Sequence, residues 1–310
     1  GVHVLSSDDA LGMETLPKDF LIIGGGVIGI EWASMMNDFG VEVTLVEAAS
    51  RLLPGEDADV SAEMERLLRR RGVRVLTSAK LLADTFERNG GRVAVKVETG
   101  EGTVALDAER MLVAVGRTAN VDGIGLEATD VTVRDGFIAV NASYQTAEPH
   151  IYAVGDVIGG VQLAHAAARE GVIAAEHMAG LNPGPIQPHR IPRCVYSRPE
   201  VASIGWTESQ AMSRGHDVKT SRLPFRASGK AIVSGETDGF VKVIADRKTG
   251  DILGVHMIGP HVTELLSEAG LADLLNASFW EVGQLIHPHP TLSETLGEAM
   301  LAIDGASLSF

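Results

Sequence analysis

The sequence predicts an α/β protein: a doubly wound parallel sheet carrying an antiparallel meander, followed by an α+β domain. Three observations carry that expectation. Phe20-Leu21-Ile22-Ile23 is a short apolar run that ends in Gly24-Gly25-Gly26, as a buried parallel strand entering a tight turn does. Strand and helix patterns then alternate through residue 76, the order that builds a right-handed parallel sheet. Beyond Leu181-Asn182-Pro183-Gly184-Pro185-Ile186-Gln187-Pro188, the pattern changes to strands first and helices afterwards.

Residues 27–39 have helical length and apolar spacing, and Gly40 stops the helix. Residues 41–47 alternate and are β-branched, so they form a second strand. A charged amphipathic helix over 61–71 ends at Gly72, and 73–76 is a third strand. Residues 80–108 alternate apolar and polar, with turns at Asn89-Gly90-Gly91 and Gly100-Glu101-Gly102, as a meander packed on the sheet does. Residues 110–116 return to a strand. After a turn-rich stretch, 151–156 is expected as a short strand and 163–180 as a long alanine-rich helix. The last region offers strands at 193–196, 201–205, 217–224, 239–246 and 252–259, then helices at 261–276, 278–286 and 291–301. The expected division is a leading segment 1–16, then 17–117, 118–188 and 189–310.

Composition narrows the function. Apolar residues at 45% and charged residues at 22% are those of a globular protein, not a disordered one. The 26 Lys and Arg against 41 Asp and Glu give a net charge of −15, which disfavours nucleic acid and anionic membrane. No run of apolar residues is long enough for a membrane span. The single cysteine, Cys194, can form no internal disulfide and no cysteine-rich zinc site. The first residues lack a basic and then apolar leader, and with one thiol the expected compartment is a reducing one, the cytoplasm.

Gly24-Gly25-Gly26-Val27-Ile28-Gly29 is a G-x-G-x-x-G between strand and helix, the context that gives this pattern weight. Gly24 permits the tight turn, Gly26 lets a pyrophosphate approach the backbone, and Gly29 lets helix and strand pack closely. The helix start offers unpaired N–H groups and partial positive charge to phosphates. Glu47, eighteen residues after Gly29, ends the second strand where an acid accepts a hydrogen bond from a ribose 2′-hydroxyl and repels a 2′-phosphate. A Rossmann-like NAD site follows, with NAD preferred over NADP. Glu31, in the first turns of the same helix, also suits simple compensation of the helix dipole.

In His287-Pro288-His289-Pro290-Thr291-Leu292-Ser293-Glu294, two prolines restrain the backbone around His289. Pro290 is expected as the first helical residue, with His289 at the cap. A histidine held so suits general acid–base work, and Glu294 could orient its ring. A capped helix with a surface histidine fits the same residues. A two-histidine zinc site lacks a third ligand at metal spacing, so no metal is expected.

Taken together, Ile22-Ile23-Gly24-Gly25-Gly26-Val27-Ile28-Gly29-Ile30-Glu31, Val115-Gly116-Arg117, Tyr152-Ala153-Val154-Gly155-Asp156, Leu163-Ala164-His165 and His289-Pro290-Thr291-Leu292-Ser293-Glu294 run in the order of one family. The sequence resembles the flavin-dependent pyridine nucleotide–disulfide oxidoreductases, and the last segment resembles the branch that oxidises dihydrolipoamide. The resemblance implies NAD on Gly24, Gly25, Gly26, Val27, Ile28, Gly29, Ile30 and Glu31, with Glu31 facing the nicotinamide and Glu47 the adenine ribose. It implies that Leu81 and Gly116 line the same site. It implies FAD on Asp156, with Gln162, Leu163, Ala164 and His165 near the isoalloxazine. It implies His289 as proton acceptor from the dihydrolipoyl thiol, with Glu294 as its partner.

Family members carry an earlier FAD-binding domain with a Cys-x-x-x-x-Cys redox disulfide, and no such pair occurs here. Cys194 lies outside any such pattern and is expected as a small buried apolar residue. Residues 1–16 are expected as the segment leaving that first domain, so the chain resembles the carboxyl-terminal portion of an oxidoreductase. The resemblance implies a homodimer whose 189–310 region is the dimerisation interface. It also implies service in a 2-oxo-acid dehydrogenase complex, docking to the peripheral-subunit-binding domain of the E2 acyltransferase and acting on its lipoyl domain. Other branches, a soluble transhydrogenase or an NADH oxidase, and an inactive NAD-binding and dimerisation fragment are the alternatives.

Overall fold

A computed structural model describes residues 2–308. Contacts divide the chain into two compact units: Gly1–Val115 with Pro192–Phe310, and Gly116–Ile191.

In the first unit, β1 (Val4–Leu5) and α1 (Ser7–Leu11) precede β2 (Asp19–Ile23), α2 (Val27–Asp38), β3 (Glu42–Val46), α3 (Ala58–Arg70) and β4 (Arg74–Leu76). Next come β5 (Lys80–Asn89), β6 (Arg92–Thr99), β7 (Gly102–Ala108) and β8 (Arg110–Val113). The sheet order is β1-β8-β2-β3-β4 with every pair parallel, and β5-β6-β7 form the expected antiparallel meander. The apolar run in β2 has a direct cause. Phe20 and Ile22 pack into a core with α2 and α3, while Leu21 and Ile23 pack with the meander strands, so both faces of the strand are covered. Helix α3 starts three residues before the expected 61, because Asp57 caps it by accepting the Asp59 N–H at 3.1 Å.

The second unit holds the hairpin β9 (Val133–Arg134) and β10 (Phe137–Ile138), and α4 (Ala164–Met178). The strand expected at 151–156 does not form. Tyr152 makes a single bridge with Gln145, and Gly155, at φ +78, turns the chain into a 3-10 helix, Gly155–Ile158. The Gly155 N–H donates to Glu170 Oε2 at 2.7 Å instead of to a ladder.

Returning to the first unit, β11 (Arg193–Val195), β12 (Glu200–Gly205), α5 (Glu208–Ser213), β13 (Val218–Pro224), α6 (Gly229–Ser234), β14 (Phe240–Asp246) and β15 (Ile252–Gly259) lead to α7 (Val262–Leu274), α8 (Phe279–Gly283) and α9 (Glu294–Ala302). The strands form an antiparallel sheet in the order β11-β12-β15-β14-β13. Helices α5 and α6 are too short to show a period in the sequence; Thr207 and Ser228 cap them. Helix α9 starts at Glu294 with Ser293 at its cap, so His289 is not a cap and Pro290 is not helical. Both prolines lack an N–H, and the Thr291 N–H goes to the Glu294 carboxylate at 2.8 Å rather than into a helix.

A buried ionic knot joins α3 to the antiparallel sheet. The Lys242 ammonium donates to Asp57 at 2.9 Å, Asp59 at 2.6 Å and Glu208 at 2.7 Å. Burial alone would raise the Asp57 carboxyl, but the Lys242 hydrogen bond first, with the His256 interaction, the Glu208 N–H and the Lys242 charge, outweighs it and holds Asp57 below its ordinary value. Beside the knot, Glu56 accepts from Arg193 at 3.1 Å and from Ser203 at 2.5 Å. Among the described residues no helix is long and apolar enough to cross a membrane.

Candidate functional site

The glycine loop is built from backbone. Gly24 sits at φ +112, and a Cβ there would lie 2.3 Å from the Ala114 carbonyl oxygen. A Cβ on Gly29 would lie 1.8 Å from the Gly24 carbonyl oxygen, so the helix packs directly on the turn. A Cβ on Gly26 meets nothing within 4 Å. Gly26 is also the N-cap of α2 and supplies no side chain to its free N–H groups. This open, donor-lined cradle fits a dinucleotide pyrophosphate.

Glu47 closes the loop from the β3 side. Its Oε2 accepts the Gly25 N–H at 2.6 Å and its Oε1 the Ala49 N–H at 2.6 Å, while the Leu53 N–H donates to the Gly25 carbonyl at 2.8 Å. The acid therefore braces the glycine turn, and each oxygen keeps a lone pair for a ribose hydroxyl. Val27 and Ile28 start the helix, whereas Ile30 points into the core with no exposed surface. Glu31 is half-buried, and its Oε1 accepts the Tyr196 N–H at 2.9 Å. Burial pushes its carboxyl up, and that N–H only partly offsets the rise. Leu81 lies in β5, half-buried against the meander core, and Gly116 opens the second unit at φ +153.

In the second unit, Asp156 lies in the turn after Gly155 and pairs with Arg117 at 3.5 Å. Gln162 sits at φ +53, and its Nε2 is buried without a hydrogen-bond partner. Leu163 caps α4 with no side-chain bond, and Ala164 and His165 form the first turn. An orphaned buried donor beside an uncapped helix start fits an acceptor-rich group such as a flavin ring.

His289 is 79% exposed and its Nδ1–H donates to Glu294 Oε1 at 2.8 Å. The other Glu294 oxygen takes the Thr291 N–H. Burial alone would raise the Glu294 carboxyl, but the hydrogen bonds from Thr291 and His289 prevail and hold it below its ordinary value. With Nδ1 donating, the Nε2 lone pair is left as the proton acceptor. His289 and Glu294 line a cleft of about 270 Å³ with His287, which is nearly buried and bonds Glu268 at 2.8 Å. A Cβ on Gly297 would lie 2.5 Å from the His287 ring. This second histidine–glutamate pair was not foreseen. Its acid lies nineteen residues earlier on α7, beyond any local pattern. Cys194 is half-buried against the core of the antiparallel-sheet region, and burial pushes its thiol up. No group of three metal-binding side chains occurs among the described residues.

Residues 1–171 match the family model "Pyridine nucleotide-disulphide oxidoreductase". The chain belongs to that family. Residues 191–300 match its dimerisation domain. Dihydrolipoyl dehydrogenase of Bacillus subtilis is 59% identical over the whole chain, which spans 65% of that protein's length. Dihydrolipoyl dehydrogenase of Zymomonas mobilis is 43% identical, again over the whole chain and 66% of the relative. Among solved structures, LpdA of Mycobacterium tuberculosis matches with a TM-score of 0.87 at 30% identity, over 96% of this chain and 64% of that one. The HOCl-induced flavoprotein disulfide reductase RclA of Escherichia coli matches with a TM-score of 0.87 at 28% identity, over 96% and 67%.

Proposed function

We propose that this chain is the nucleotide-binding and interface portion of a dihydrolipoyl dehydrogenase. The observation that carries the reading is the His289–Glu294 pair, hydrogen-bonded at 2.8 Å on an exposed turn. The overall reaction is oxidation of a dihydrolipoyl dithiol to its disulfide with reduction of NAD+ to NADH and release of one proton. A thiol of ordinary pKa, about 8.5, is only a few per cent thiolate near pH 7. His289 Nε2 takes its proton, and Glu294 holds the ring and stabilises the imidazolium that results. The loop of Gly24 to Gly29 orients NAD through α2, Glu47 holds the adenine ribose, and Glu31 lies toward the nicotinamide. Leu81 flanks that site. Asp156, Gln162, Leu163, Ala164 and His165 would hold FAD, which when bound would supply two-electron redox chemistry.

The exposure of His289 supports a site completed by another subunit. Leu271, Leu274, Leu275 and Ile286 are large apolar side chains left exposed in the region that matches the dimerisation domain, and a second copy covers them in this reading. The acidic balance of the chain suits a basic E2 docking domain. The compartment is the cytoplasm. By itself the chain has one cysteine, so it binds nucleotide without turning over.

The test is dihydrolipoamide-dependent NADH formation by the full-length protein. Turnover with dihydrolipoamide, lost on His289→Ala, supports the reading. Activity confined to NADP transhydrogenation or to NADH oxidation by oxygen assigns the chain to another branch.

A further inference from the structure

Helix α3 presents Glu63, Arg66 and Arg70 at a spacing that places them along one face. Opposite stand Arg222 on β13 and Arg226 just after it, with Asp238 at the entry to β14. These six residues line a cleft of about 500 Å³. Four guanidinium groups thus face two carboxylates, in a chain whose acids outnumber its bases 41 to 26.

The two acids fix two of the cations without consuming them. Arg66 gives Nε and Nη2 to Glu63 at 2.8 and 2.7 Å, and Arg70 pairs with Asp238. Each guanidinium has five N–H donors, so both keep free ones. The Arg222 guanidinium carbon sits over the buried Phe240 ring, 4.0 Å from its centre, and the residue is exposed. Neither Arg222 nor Arg226 has a carboxylate partner among the described residues. The field is felt locally: Glu63 is held below its ordinary value by its Arg66 hydrogen bonds first, against burial, and then by the charges of Arg66 and Arg222. The adjoining cleft is different. Arg70, Arg71 and Arg198 there meet Asp38, Glu200, Glu236 and Asp238, and no positive excess is left.

We propose that the Arg66–Arg70–Arg222–Arg226 cleft binds a small, multiply charged oxyanion, a phosphate ester or a polycarboxylate. Arg222 and Arg226 provide the forks and the two α3 arginines the fixed wall. A singly charged anion would leave the excess uncompensated, and a macromolecular polyanion is disfavoured by the net charge of −15. The site is separate from the proposed reaction and does not rest on it.

The test is calorimetric titration of this chain with inorganic pyrophosphate and, separately, citrate, at moderate salt. A dissociation constant of about 1 mM or below is expected for at least one of them. Arg222→Gln and Arg226→Gln should each weaken it by about tenfold or more, the loss of one charge-assisted hydrogen bond. Arg69→Gln, which removes the same charge from α3 outside the cleft, should change it by less than about twofold. Binding of pyrophosphate alone assigns a phosphate-bearing ligand, of citrate alone a polycarboxylate, and of both the shared chemistry. Binding of neither overturns the proposal. So does affinity that ignores Arg222→Gln and Arg226→Gln, which would place the anion on the glycine loop, or affinity that falls equally with Arg69→Gln. NADH affinity measured on the same variants should not change, so failure here is separable from failure of the nucleotide site.

Discussion

Glu47 and Glu294 are both carboxylates that each hold two donors, yet the regions around them are finished to different degrees. Glu47 takes two backbone N–H groups and locks a turn whose neighbours, Gly24 and Gly29, leave no space for a methyl group. Glu294, the first residue of α9, takes one backbone N–H and one exposed imidazole from the non-helical turn before that helix. The glycine loop takes its geometry from main chain packed on a parallel sheet of this chain. In the proposed function the His289 turn, which is exposed, is one wall of a site whose chemistry depends on what is brought to it.

That contrast can be broken by substitution. Gly29→Val forces a side chain onto the Gly24 carbonyl and should cost about 3 kcal/mol or more of stability, read as a large drop in thermal midpoint. An undiminished midpoint would mean that the turn is not closed. His289→Ala in the full-length protein should cut dihydrolipoamide turnover on the order of 100-fold, with NADH affinity and thermal midpoint unchanged. Equal loss of NADH binding would merge the two regions. Glu47→Gln should cost about 1–3 kcal/mol of stability by weakening its hold on two N–H groups, and should narrow discrimination against NADPH. Unchanged discrimination would remove Glu47 from the ribose site.

The smallest effect concerns pH. Because the folded Glu294 carboxyl lies below its unfolded value, its contribution is present above the ordinary carboxylate pKa of about 4.3 and is lost as pH falls through the lowered value. The thermal midpoints of the parent chain and Glu294→Gln should therefore differ above about pH 5, by no more than about 1 kcal/mol. They should converge in stronger acid. A difference independent of pH would separate Glu294 from the pair.

The nucleotide loop was legible in the sequence because its signals are local. A strand, three glycines, a helix and an acid at the next strand end all lie within 28 residues, from Phe20 to Glu47. The His289 turn was legible as residue types and not as geometry. Two prolines suggested a helix start at Pro290, but the Thr291 backbone N–H donates to the Glu294 side chain and α9 starts only at Glu294. What stayed hidden is non-local: Tyr196 on Glu31, Glu268 on His287, and the three acids gathered on Lys242. The expected strand at 151–156 failed for the same reason, since Glu170 takes an N–H that a ladder would have used.

Gly26 offers the most direct test, because a side chain there meets no protein atom and its φ of −77° with ψ of −172° suits any residue. NADH is titrated by fluorescence into this chain and into Gly26→Val, with thermal midpoints recorded alongside. A diphosphate seated on the start of α2 predicts binding by the parent, a loss of at least about tenfold in the variant, and midpoints that differ only by the cost of valine at a helix N-cap, about 1 kcal/mol. No binding by the parent, or equal affinity in the two proteins, would contradict it.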